Sequence, residues 1–89
     1  MQSYLLLERL VRGFSNHRRI EILARLEKVP NQSLQDIAEF SGIDFRTAGE
    51  HMRRLQLASL VTKRFKGRHV LHALSPLGKH VLTFLRTLE

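Results

Sequence analysis

The chain has 89 residues, room for one small domain (1–89) and not for two, and its 43% hydrophobic content is that of a globular protein. Cysteine is absent, which excludes disulfides and thiolate metal sites and fits a reducing, cytoplasmic setting. The net charge of +7 is one-sided: residues 1–50 hold seven Lys/Arg against seven Asp/Glu, and residues 51–89 hold eight against Glu89 alone, a balance that suits a polyanion, with a solvated, solubilising surface as the plain alternative.

Apolar residues at Tyr4, Leu7, Leu10, Val11 and Phe14 have helical spacing and predict a first helix near 3–13. Its "LLLERLV" is too short for a secretory core or a membrane span, and Glu8 and Arg9 interrupt it, so no membrane partner is expected. Gly13 and Ser15-Asn16 punctuate the chain, and either polar residue can cap a second helix with the stripe Ile20, Leu23, Ala24 and Leu26. Pro30 ends it. "SLQD" from Ser33 matches a capping box and opens a short third helix with Leu34, Ile37 and Ala38 inward. Gly42 breaks that helix, and Asp44 is a cap for a fourth, near 45–57, with Ala48, Met52 and Leu55 inward. A short helix, a glycine turn and a longer helix make a helix-turn-helix order.

The period then changes. "LVTKRFK" and "RHVLHAL" alternate as two strands around Gly67, and Ser75-Pro76 starts a last helix, near 76–88. The expected fold is mainly α with a small β-hairpin: four helices, a basic hairpin wing and a fifth helix.

At this point the residues resemble winged helix-turn-helix transcription regulators of the ArsR/MarR type, over about residues 14–88. "FSNHRRIEILARL" resembles the signature "DPTRLRILxLL", with Asn16, Arg19, Ile22 and Leu23 in register. "SLQDIAEFSGID" resembles "SVSELAEALGLS", and "RTAGEHMRRLQLASLV" resembles "STVSHHLKVLREAGLV". "KGRHVLHAL" is similar to the wing "EGRRVYYRL", and "LSPLGKHVLTFL" to "LTPLGRALLxxL". Each motif is mostly core and turn chemistry; five in order carry the resemblance.

The resemblance implies a homodimeric regulator, by family habit a repressor, that sets its fourth helix in the major groove of double-stranded DNA and its wing on flanking backbone. Phe45, Arg46, Gly49, Glu50 and Arg53 share one polar helix face. With the cap Asp44 and with Thr47 they form the recognition-helix side of the expected contact. Lys63, Arg64, Lys66 and Arg68 form the wing side, on phosphate or in a minor groove. The plain alternatives are a solvated helix face and a charged strand edge that discourages strand addition. Three positions depart from the family pattern, one of them Ser59 in place of the usual glycine after the helix. Glu50 stands where a polar or basic residue often reads bases, and Gly49 interrupts the helix at a cost of roughly 1 kcal/mol relative to alanine. Glu50 and Gly49 favour a rival, a winged-helix interaction or dimerisation module without specific DNA binding.

The first and last helices carry more apolar surface than a small core takes up. Tyr4, Leu5, Leu7, Leu82, Leu85 and Leu88 are the expected dimer interface. Five histidines invite a metal, but His69 and His72 fall on opposite strand faces and none pairs with a carboxylate at ligand spacing on one helix, so no metal or other cofactor is expected. No nucleophile–base order, phosphate loop or facing acidic pair supports catalysis, so no catalytic residue is expected.

Overall fold

A computed structural model describes residues 3–89. Five helices and one hairpin follow in the order α1 (Tyr4–Phe14), α2 (His17–Lys28), α3 (Leu34–Ser41), α4 (Phe45–Leu57), β1 (Val61–Lys66), β2 (His69–Leu74) and α5 (Pro76–Arg86). This is the expected winged helix-turn-helix order.

Each helix begins on a polar cap. Asn16, not Ser15, caps α2; its Oδ1 accepts from the Arg18 and Arg19 amides at 2.9 and 3.1 Å. Ser33 and Asp36 form the capping box of α3, with the Asp36 amide on Ser33 Oγ at 3.1 Å and the Ser33 amide on the Asp36 carboxylate at 3.0 Å. Gly42 then turns left-handed (φ 66°), so the chain reverses sharply into α4.

α1 runs through Gly13, read from the sequence as a break, and ends at Phe14. A Cβ at Gly13 would overlap the Ala58 Cβ, so this glycine lets α1 press on the end of α4. In α2 the deepest residues are Ile22, Leu23 and Leu26, while Ile20 and Ala24 are only half-buried. With Phe14, Ile37, Met52, Leu55, Leu60, Val61, Val81 and Leu82 they form a single core. Arg86 and Glu27, 2.7 Å apart, tie α5 to α2 at the surface. The last helix stops at Arg86, so Leu88 lies beyond it.

The hairpin is antiparallel, with Val61 opposite Leu74, Lys63 opposite His72 and Lys66 opposite His69. Gly67 (φ 61°) opens a two-residue turn that needs positive φ at its first position. The wing's root is held twice. Val61 is buried in the core, and Gln32, in the loop before α3, forms an isolated bridge with His72. Its amide donates to the His72 carbonyl at 3.0 Å, the His72 amide donates back at 2.7 Å, and His72 Nδ1 lies 2.9 Å from the same Gln32 oxygen. None of this was visible in the strand pattern.

Candidate nucleic-acid interface

α4 presents the expected polar face, and its groups are not equally available. The Asp44 carboxylate caps the helix, accepting from the Thr47 amide and the Thr47 hydroxyl, each at 2.8 Å. The backbone hydrogen bond, then that from the hydroxyl, holds the carboxyl below its usual range. Thr47 and Asp44 thus satisfy one another at the helix start. Phe45 is exposed, not packed away under α3. Arg46 is exposed and has no ion-pair partner among the described residues.

Glu50 sits at the centre of the face and is fully engaged. Arg53 grips it with a fork, Nε to Oε2 at 3.2 Å and Nη2 to Oε1 at 2.8 Å. Arg54 Nε adds a third bond to Oε1 at 3.3 Å. The hydrogen bonds from Arg53, and next from Arg54, hold the Glu50 carboxyl down to about 2. Arg54 was not among the residues singled out from the sequence, although its i,i+4 distance from Glu50 was a usable signal.

Behind this face, His51 is half-buried and lies 3.2 Å from Arg19 Nη1 through its Nδ1. Burial, then the Arg19 charge, pushes the imidazole below its ordinary range, which suits a neutral ring accepting from the guanidinium. His51 therefore locks α2 to α4. Among the described residues no three His, Cys, Asp or Glu side chains cluster as a metal would need.

On the wing, register divides the basic residues. Cross-strand partners share a face, so Lys63 stands on the side of His72, Phe65 and Val70. Arg64 and Lys66 stand on the opposite side with His69, and Arg68 occupies the turn. The four therefore straddle the hairpin and do not form one row. All four are exposed, as is Phe65 at 78%. Between α3, α4 and the wing lies an open groove of about 990 Å³, lined by Phe45, Gly49 and Arg53 of α4, by Lys63 and Arg68 of the wing and by the start of α3 with its acids Asp36 and Glu39. The structure thus brings residues of α4 and the wing to one groove.

The residues expected at a dimer interface divide as well. Tyr4 (83% exposed), Leu5, Leu7 and Leu88 are open to solvent, joined by Leu6, Val11 and Phe84. Leu85 is half-buried against the core. Leu82 is a correction: at 2% exposure it belongs to the chain's own core, because α5 turns it inward beside Val81.

No protein-family profile matches the chain, and no curated protein matches it in sequence. Solved structures match closely in shape. The homodimeric winged helix-turn-helix DNA-binding domain of a possible ArsR-family transcriptional regulator from Mycobacterium bovis superposes with a TM-score of 0.86 at 20% identity, covering 99% of this chain and 87% of that one. HlyU from Vibrio cholerae gives 0.83 at 22% identity, covering 99% and 97%. A mutant of MepR from S. aureus gives 0.81 at 15% identity, covering 88% of this chain and 61% of that one. At these identities the likeness is one of fold, and the fold is the winged helix-turn-helix.

Proposed function

We propose that this protein is a transcriptional regulator that binds double-stranded DNA as a homodimer, with α4 in the major groove and the hairpin on the neighbouring backbone. The carrying observation is the joint exposure, across one groove, of Arg53 on α4 and of Lys63 and Arg68 on the wing, with Arg46 exposed in the first turn of the same helix. Lys and Arg side chains in that arrangement neutralise phosphates and release counterions. The apolar residues Tyr4, Leu5, Leu6 and Leu7 on α1, with Phe84 on α5 and Leu88 just beyond it, are open surface that a second copy would cover. The Mycobacterium bovis domain of the same fold is homodimeric. Twofold symmetry would set two α4 helices about one DNA turn apart, roughly 34 Å. Repression is then occlusion of a promoter by the bound dimer.

A second reading, a winged-helix interaction module, is favoured by one observation: Glu50 occupies Arg53 and Arg54, which lowers the positive charge of the recognition face. Fluorescence anisotropy of labelled duplex DNA over a range of salt concentrations separates the two. DNA binding predicts saturable association whose log affinity falls linearly with log salt. Absence of association at about 50 mM salt, where phosphate contacts are strong, would reject it in favour of the interaction module.

A further inference from the structure

Glu50 is an unusual residue to find at the middle of a face meant for a polyanion. A carboxylate there repels phosphate, and its two neighbours Arg53 and Arg54 spend hydrogen bonds on it. Those bonds also fix geometry. Arg53 binds Glu50 through its Nε–Nη2 side. A guanidinium has five N–H donors in a rigid plane. With that side occupied, the outer edge, made of Nη1 and the remaining Nη2 hydrogen, has no partner among the described residues. The Arg53 side chain stays 56% exposed, so this edge is accessible. Two parallel N–H bonds from such an edge are what guanine O6 and N7 accept in the major groove.

Resting on the DNA-binding reading above, we propose that Glu50 is a positioning residue that sets sequence specificity: it clamps Arg53 so that its outer edge addresses a guanine, and it withholds the helix from phosphate elsewhere. The clamp lowers the rotamer entropy that Arg53 would otherwise lose on reading a base. The carboxylate offsets one of the two arginine charges, so non-cognate duplexes gain less from the helix. On a correct site the forked contact compensates. On a wrong base the arginine cannot swing to a phosphate without breaking the fork with Glu50. Discrimination thus comes from a repulsive element beside an attractive one.

The test starts from a randomised duplex pool selected with purified wild-type protein, followed by affinity measurements on the selected site and its single-base variants. The same set is measured for Glu50→Gln and for Arg53→Lys, which keeps the charge and loses the planar fork. Circular dichroism confirms that both variants are folded. The expected result is that both variants relax preference at the same G·C pair, where wild type discriminates roughly 5- to 150-fold. Glu50→Gln should also bind non-cognate duplex more tightly than wild type. Glu50→Gln that tightens all duplexes by one factor, with preference intact, would overturn the proposal and leave Glu50 a simple charge brake. Relaxation of different base pairs by the two variants would overturn it too. A wild-type selection with no consensus would instead remove the DNA-reading premise itself, and the proposal with it.

Discussion

Two glycines in this chain should respond to the same substitution with opposite sign. Gly49 lies inside α4, where a Cβ would meet Leu34 Cδ2 at 3.6 Å, an ordinary contact. Alanine there gains up to about 1 kcal/mol of helix propensity. Gly78 lies in the first turn of α5, where a Cβ would overlap the Leu60 carbonyl oxygen and lie 3.0 Å from Leu74 Cδ2. That oxygen accepts from the Ser75 amide at 3.1 Å, while Ser75 Oγ accepts from the Gly78 amide at 2.9 Å and donates to the Ser59 carbonyl at 2.7 Å. A methyl group at 78 must push α5 off this corner. Overpacking costs about 1–3 kcal/mol and a strained N-cap about 1 kcal/mol more, against at most about 1 kcal/mol of propensity gained. Gly78→Ala should therefore lose about 1–3 kcal/mol and Gly49→Ala gain about 0.5–1 kcal/mol. Urea unfolding followed by circular dichroism reads both. In a domain of this size each kcal/mol moves the melting midpoint by roughly 4–8 °C. Equal signs for the two variants would refute the packing argument.

Other outcomes follow from the site. Changing Lys66 and Arg68 together to alanine should weaken binding to every duplex alike and reduce the slope of log affinity against log salt by about 0.9 for each phosphate no longer neutralised; an unchanged slope would remove the wing from the interface. Light scattering at micromolar concentration should give twice the 10.4 kDa chain mass. Leu5→Asp should return the single mass, because Leu5 is open surface and not core. Burial, chiefly, holds His72 and His51 below the ordinary histidine range. The unfolded chain then binds more protons, so their contribution is complete above about pH 6.5 and is lost as pH falls toward the folded values. Urea midpoints should drop between pH 7.5 and 5.5, and a midpoint that rises on acidification would contradict the burial argument.

Element order and caps were legible because they depend on local chemistry. Ser33 with Asp36, Asp44 before α4 and Ser75-Pro76 before α5 announce helix starts within a few residues. What escaped was decided at long range. Gly13 and Gly78 look like breaks or neutral positions until the chain brings Ala58 and Leu60 against them. Leu82 and Leu88 are equivalent as letters, and only the packing of α5 separates core from surface. The candidate site was legible as a list of basic residues. Its division into clamped Arg53 and Arg46, which has no ion-pair partner among the described residues, and the split of Lys63 from Arg64 and Lys66, required side-chain partners and strand register.

The Gln32–His72 bridge has a mechanical consequence. It makes the hairpin a cantilever with a stiff root and a compliant tip. At the root, Val61 is embedded and His72 is bonded to a second loop. Outward of Arg64 and Leu71 every β1 residue is exposed, and the ladder between the two strands is the main restraint. Bending is therefore concentrated in the last few residues around Gly67, and the angle between the strand root and α4 is held. DNA grooves change width with sequence. In the proposed complex with DNA, a beam built this way lets Arg68 follow that change while α4 keeps its seat.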